Sequence, residues 1–224
     1  MTKQLLLIDG NSIVFRAFFA MHNQMDKFTN KDGLHTAAIY GFKLMLDHVL
    51  QNFKPDTALV AFDAGKVTFR TKMYDDYKGG RNKTPNELTE QIPYVRELIK
   101  DSGLHSYELA NYEADDIIGT LAKQADDAGY KTLIVTGDRD LTQLASENTT
   151  VAVTHKGVTD TEHYTPAHVE EKLGITPRQI IDMKALMGDS SDNYPGVTKI
   201  GEKTAIKLVK QFGSVEELYD HIDD

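Results

Sequence analysis

The chain predicts an α/β fold: a central, mostly parallel sheet flanked by helices, with a basic helical arch and a C-terminal helix–hairpin–helix element. Two observations carry the sheet. Short apolar runs (LLLID, ALVAFD, TLIVTGDRD) alternate with longer stretches of helical periodicity, the pattern of strands joined by crossover helices. The runs are apolar at nearly every position, as strands buried on both faces are. Each run also closes on an aspartate.

In order, residues 4–8 predict the first strand. Residues 35–52 predict a helix, with Ala38, Ile39, Phe42, Leu46, Val49 and Leu50 on one face. Residues 58–62 predict a second strand, and residues 86–102 a helix with Pro85 near its start. Residues 113–128 predict another helix, with Ile117, Ile118, Leu121, Ala122 and Ala125 inward, and 132–136 a third strand. Residues 151–164 read as a hairpin turning at Lys156-Gly157. Beyond it the pattern is helical: Thr165-Pro166 and Thr176-Pro177 each start a helix, and PGVTKIG separates two further helical stretches. Residues 65–85 fit neither period and predict a mobile loop or a partly helical flap. The expected organisation is a core of residues 1–164, with its irregular basic segment at about 66–93, followed by a helical element at 165–224.

Composition narrows the function. The 224 residues are 40% hydrophobic and 26% charged, with no cysteine, which excludes disulfides and thiolate zinc sites. No apolar run approaches the roughly 20 residues that span a bilayer. The opening MTKQLLLIDGNS lacks a secretory apolar core, so a cytoplasmic setting and no membrane partner are expected. The net charge of −9 speaks at first against nucleic acid. Nine acids, however, lie in five short clusters: Asp9; Asp63; Glu113, Asp115 and Asp116; Asp138 and Asp140; Asp189 and Asp192. Taking these nine from the 34 acidic residues leaves a balance with the 25 basic ones.

Ligands of open parallel sheets bind beyond the carboxyl ends of the strands. Asp9, Asp63, Asp138 and Asp140 are therefore expected to converge there. Converging carboxylates raise one another's pKa unless a cation neutralises them, and hard divalent ions take such oxygens. Two ions about 4 Å apart suit phosphodiester cleavage. Plainer readings stand beside this one. Asp9 can cap a helix, Asp115 and Asp116 can favour a helix dipole, and GDRD can form a turn.

Two basic segments complete the pattern. Lys66, Arg70, Lys72, Lys78, Arg81 and Lys83 interleave with Tyr74 and Tyr77, which suits bases stacked on rings and a backbone held by cations. Lys78 and Arg81 are placed to position a scissile phosphate and stabilise its charge. Lys199, Lys203, Lys207 and Lys210, spaced 4, 4 and 3 apart, predict one helical stripe with Ile206, Val209 and Phe212 opposite. Gly196 and Gly201 flank a turn able to approach a phosphate closely. For both segments a solvated surface is the plain alternative.

Together, LLLIDGNSIVFRAFFA, FDAGKVTFRTKMYDDYKGGR, YEADDIIGTLA, VTGDRDLTQL and GDSSDNYPGVTKIGEKTA resemble the 5′-nuclease (flap endonuclease) family, nearest its bacterial polymerase-linked 5′–3′ exonuclease branch, over about residues 3–215. The resemblance implies a metal-dependent 5′–3′ exonuclease and 5′-flap endonuclease of replication and repair, active in the bacterial nucleoid on DNA with a flap, nick or RNA primer. It implies two Mg²⁺ or Mn²⁺ ions. Asp9, Asp63, Glu113 and Asp115 would hold one, and the other would lie near Asp115, Asp138, Asp140 and Asp192. Asp116 and Asp189 would support these ligands. Lys78 and Arg81 would stand at the foot of the arch through which a free 5′ end passes. Arg70, Lys72, Tyr77 and Lys83 would meet DNA, as would Gly196, Val197, Lys199, Gly201, Lys203 and Lys207 in and after GVTKIG, with a K⁺ on backbone carbonyls there. A monomer is expected, and a polymerase region in the parent protein. The chain stops soon after this element, where the family continues with further helices. A non-catalytic module for branched DNA is the alternative. A phospho-aspartate at Asp9 fits poorly, since Gly10 and Asn11 follow it.

Overall fold

The apolar runs form the middle of a six-stranded sheet. The structure, a computed structural model, describes residues 2–21, 27–157 and 159–223. Strands β1 (Gln4–Asp9), β2 (Thr57–Ala61), β3 (His105–Tyr107), β4 (Lys131–Thr136) and β5 (Thr149–Lys156) run parallel, and β6 (Asp160–Tyr164) returns antiparallel along β5. The order across the sheet is β3-β2-β1-β4-β5-β6. Asp9 pairs with Ala61 and Ile8 with Val135, so the ends of β1, β2 and β4 are level. That register brings three aspartate-bearing loops to one edge.

Helices cover both faces, and the strand alternation decides which side chain meets which layer. On one face Leu6, Ile8, Val60 and Val135 pack with α1 (Gly10–Met21), α2 (Ala37–Phe53) and α5 (Ile92–Asp101), through Ile13, Phe18, Phe42, Met45, Val95 and Ile99. On the other, Leu7, Ile134, Val151 and Val153 pack with α6 (Ala114–Asp127), α7 (Pro166–Leu173), α8 (Gln179–Met187) and α9 (Glu202–Phe212), through Ile118, Val169, Met183, Leu186 and Val209. The C-terminal helices thus share a core with the sheet. One short helix, α3 (Phe69–Met73), lies in the basic segment, a second, α4 (Asn86–Thr89), just after it, and α10 (Val215–Asp220) follows α9. Among the described residues, no helix is long and apolar enough to cross a membrane.

Several elements differ from the sequence reading. Helix α1 was signalled only by Asp9 as a possible cap: GNSIVFRAFFAM is apolar almost all round, so it shows little helical stripe. The helix expected over 86–102 is broken into α4 and α5. Pro93, near the start of α5, has no N–H to give the carbonyl of Thr89, so the first helix stops there. At the break Gln91 is fully buried. Its Oε1 accepts the Ala38 N–H at 2.8 Å and its Nε2 donates to the Glu87 carbonyl at 2.8 Å, tying the basic segment to the start of α2. Helix α8 begins at Gln179, after a tight turn at Thr176–Arg178. The lysine stripe is shorter than expected, because α9 starts at Glu202. Lys199 precedes it in a left-handed turn (φ 69°), leaving Lys203, Lys207 and Lys210 on the helix.

After α8 the chain makes a narrow ribbon, β7 (Gly188–Asp189) against β8 (Tyr194–Pro195). Here two backbones touch. A Cβ on Gly196 would lie 2.1 Å from the Met187 carbonyl carbon and 2.4 Å from the Gly188 nitrogen. Gly196 is thus required by packing, whatever else it contacts. Gly196→Ala is expected to cost about 1–3 kcal/mol and lower the urea midpoint; an unchanged midpoint would mean the ribbon yields freely.

Candidate active site

Beyond the level ends of β1, β2 and β4, eight of the nine clustered acids are held by hydrogen bonds or ion pairs from named neighbours. Asp9 ends β1 and is almost fully buried. Its Oδ1 accepts the Ser12 N–H at 3.0 Å and its Oδ2 the Thr136 hydroxyl at 2.8 Å. Asp63, two residues past β2, accepts the Ala114 N–H at 2.8 Å and Asn11 Nδ2 at 3.3 Å. Asp138 accepts the Asp140 N–H at 2.8 Å. Asp140 opens a 3-10 turn, Asp140–Leu144. Asp189, on β7, accepts the Ser191 N–H at 2.7 Å and hydroxyl at 2.6 Å.

The remaining acids lie around the start of α6. Glu113 caps it, and the Glu113 N–H donates to Asp116 at 2.9 Å. Asp116 takes both arms of the Arg70 guanidinium, at 2.8 and 2.7 Å, the fork geometry of a strong pair. Burial pushes the Asp116 carboxyl up, but Arg70 and the Glu113 N–H outweigh it and hold it below the ordinary range.

The basic segment folds onto these acids. Lys78 reaches Glu113 at 2.8 Å, and Arg81 reaches Asp192 at 2.6 Å. The Tyr77 hydroxyl donates toward Glu113 (3.1 Å) and Asp192 (3.2 Å). Burial and the two carboxylates push that phenol well above its ordinary range. Lys78 sits in the left-handed region (φ 57°), and its N–H donates to the Asp192 carbonyl at 2.8 Å. The flap expected over 65–85 is therefore partly helical and tied to the acids by side chain and backbone. Lys72 Nζ donates to Asn111 at 3.0 Å, and Lys83 is exposed. Beyond α8, Val197, Lys199, Gly201, Lys203 and Lys207 are exposed along one stretch, away from the carboxylates' hydrogen bonds.

Asp115 differs from the rest. Among the described residues nothing hydrogen-bonds its carboxylate. Burial comes first, and the charges of Asp9, Asp138 and Asp63 add to it, pushing its pKa up to about 8 against the pull of Lys78. Burial likewise lifts Asp9 to about 6, Asp63 above its ordinary value and Asp140 to about 6. The donors facing one another are all oxygens, with an excess of negative charge at Asp115, and this fits hard divalent cations. Among the described residues, no three acids or histidines already stand as a ligand set for one ion. Lys78, Arg70, Arg81 and Lys184 are the cations paired with them. A cavity of about 830 Å³ opens beside the cluster, bordered by Glu113, Asp115, Asp140 and Asp192 and by Phe69, Tyr74 and Tyr77.

The sequence reading missed Lys184. It lies mid-helix in α8, 2.7 Å from Asp140 and 2.5 Å from Asp189. Its only sequence signal is its place five residues before Asp189. Asn11, Ser12 and Thr136, which hold Asp63 and Asp9, were also unmarked.

A mostly parallel sheet with helices on both faces and a cluster of carboxylates at or beyond its strand ends defines an α/β protein with an acidic edge. Residues 4–174 match the family model described as "5'-3' exonuclease, N-terminal resolvase-like domain", and residues 175–224 match "5'-3' exonuclease, C-terminal SAM fold". The chain belongs to the 5′–3′ exonuclease family. It is 60% identical over 221 residues to DNA polymerase I of Streptococcus pneumoniae and 59% over 222 residues to that of Bacillus subtilis, each match covering 99% of this chain. The chain spans 25% of the length of these relatives. Among solved structures, T5 5′-exonuclease with bound zinc ions superposes with a TM-score of 0.78 at 23% identity, covering 98% of this chain and 79% of that one. A T5 flap endonuclease complexed with DNA and metal ions gives 0.78 at 24%, covering 97% and 78%. Flap endonuclease-1 of Methanococcus jannaschii gives 0.60 at 22%, covering 99% and 77%. At these identities the likeness establishes the fold.

The raised carboxyls set a pH dependence. Asp115 and Asp9 hold protons up to about pH 8 and 6 when folded, against an ordinary 3.8. Between those values the folded chain binds more protons than the unfolded one, so stability falls as pH rises. In chelator, the melting temperature is expected to drop from pH 5 to pH 8. Asp115→Asn is expected to melt higher than the parent at pH 8 and to lose that advantage at pH 4. Parallel curves at both pH values would contradict a raised Asp115 carboxyl.

Proposed function

We propose that this chain is a divalent-metal-dependent 5′–3′ exonuclease and 5′-flap endonuclease that hydrolyses DNA at flaps, nicks and RNA primers during replication and repair. One observation carries the reading. Asp115, which among the described residues has no hydrogen-bond donor on its carboxylate, is surrounded by Asp9, Asp63 and Asp138 at or beyond the ends of three parallel strands. Family membership supports it. Asp9, Asp63, Glu113 and Asp115 would hold one Mg²⁺ or Mn²⁺, and Asp115, Asp138, Asp140 and Asp192 a second. When bound, such ions activate water and stabilise the leaving oxygen.

The chain's own groups do the rest. Ser12, Thr136, Asn11 and the Ala114 N–H fix the orientations of Asp9 and Asp63. Arg70 holds Asp116, which in turn holds the backbone of Glu113. Lys78 and Arg81, now on Glu113 and Asp192, are the cations within reach of a phosphate entering beside the acids. The duplex would lie along Val197, Lys199, Gly201, Lys203 and Lys207, with Gly196 supporting the turn and a K⁺ on its carbonyls. Arg70, Lys72, Tyr77 and Lys83 would meet the 5′ strand. The working division is a nuclease core at 1–164, with the arch at about 66–93, and a helix–hairpin–helix element at 165–224. A monomer is proposed, within a parent protein that carries a polymerase region as its relatives' names indicate.

Cleavage of a 5′-labelled flap duplex tests this with Mg²⁺, Mn²⁺ and chelator. Metal-dependent release of a short 5′ product is expected; its absence with either metal would overturn the reading for this chain. Asp115→Asn should lower the rate by more than the roughly 100-fold that losing a ligand-supporting hydrogen bond costs, while salt-sensitive duplex binding persists. Saturating Mg²⁺ should also raise the melting temperature of the parent, because it binds only the folded site.

A further inference from the structure

Lys184 is a charged group that the proposed reaction does not use. Its ammonium joins three elements: it comes from α8, meets Asp140 Oδ1 at the start of the 3-10 turn, and meets Asp189 Oδ2 on β7. Only about a quarter of the side chain is exposed, and burial disfavours its charge, yet its two carboxylates hold the ammonium firmly protonated. Asp140 is one of the acids that would hold the second divalent ion, and Asp138 adds its own charge there. A carboxylate oxygen committed to an ammonium is not open to a metal, and one positive charge compensates these acids less well than two. The lysine stem is long and flexible, so the ammonium can leave without moving α8.

We infer that Lys184 is a built-in counter-ion on the Asp138/Asp140 side of the site and a positioning residue that a divalent cation must displace. The inference rests on the metal-dependent reading above and adds a consequence of its own: Lys184 weakens one of the two metal affinities while holding Asp140 and Asp189 in place. A lysine that merely tied α8 to the turn would act oppositely, since its loss would let Asp140 drift and weaken metal binding.

Calorimetric titration of the 224-residue chain with Mn²⁺ separates the two. In K184M the weaker of two Mn²⁺ affinities is expected to tighten roughly tenfold, a difference of about 1.4 kcal/mol. The Mn²⁺-induced rise in melting temperature should grow with it. K184R, which keeps the charge, should match the parent. Equal or weaker Mn²⁺ binding in K184M would overturn the counter-ion role while leaving the nuclease reading intact. A parent that binds no Mn²⁺ would overturn both. The unsubstituted chain gives an independent readout should K184M fail to fold. The ¹⁵N–¹H signal of the Lys184 ammonium, sheltered by two carboxylates, should shift or vanish as Mg²⁺ saturates the site; a signal unchanged at saturation would overturn the inference.

Discussion

Mutual repulsion among carboxylates at the strand ends is the constraint on which the rest of this structure depends. The parallel register of β1, β2 and β4 brings Asp9, Asp63 and Asp138 to one edge, where their charges add to burial at Asp115. Each surrounding feature answers that repulsion in a different way. Asp9 and Asp63 are held by backbone N–H groups, a hydroxyl and an amide. Glu113, Asp116 and Asp192 are held by cations brought in on the flap. Asp140 and Asp189 share a cation from α8. Among the described residues Asp115 has none of these supports, and burial together with its acidic neighbours pushes its pKa up to about 8.

The flap is therefore part of the acid site. Its short helix and tight turns expose few apolar side chains to a core, and Met73 and Val67 stay open to solvent. What orders it is charge: Arg70 on Asp116, Lys78 on Glu113 and Arg81 on Asp192, with the Lys78 N–H and Asn193 adding two backbone ties. Exposed ion pairs are weak one at a time, but here the three acids are buried or half-buried, Arg81 is the exposed member of its pair, and all three pairs bear on one loop. Gln91 fixes the far end of the segment to α2. The basic residues proposed to meet a phosphate are thus the same ones that pair with the acids.

Much of this was legible in the sequence, for physical reasons. Strands buried on both faces must be apolar throughout, so LLLI, ALVA and TLIV stood out, and the acids after them had to share an edge. The hairpin at 151–164 and α6 followed from equally strong local patterns. What escaped lacked such a pattern. Helix α1 is apolar on too many sides to show a stripe. Strand β3 is three residues at a sheet edge. Pro93 ended one helix and began another inside a single periodic stretch. Lys184 looked like any helical lysine, because its significance comes from Asp140, far away in the chain and brought near only by the fold.

Asp9 shows why plain and functional readings of an acid need not compete. One of its oxygens accepts the Ser12 N–H at the start of α1, as a capping residue does, and the other accepts the Thr136 hydroxyl from the end of the neighbouring strand β4. Capping does not remove its charge: burial still lifts its pKa to about 6, with Asp63 and Asp138 contributing. A capped, cross-linked carboxylate has a fixed direction, and a fixed direction is what a group facing three other acids requires. The same reasoning covers the net charge. The excess acid of the chain matches the number of clustered carboxylates; Arg70, Lys78, Arg81 and Lys184 offset part of that charge at the sheet edge, and the lysines of α9 stand apart from it on exposed surface. A chain acidic in total can thus present neutral or basic surface to a polyanion wherever the strand ends are not in contact with it.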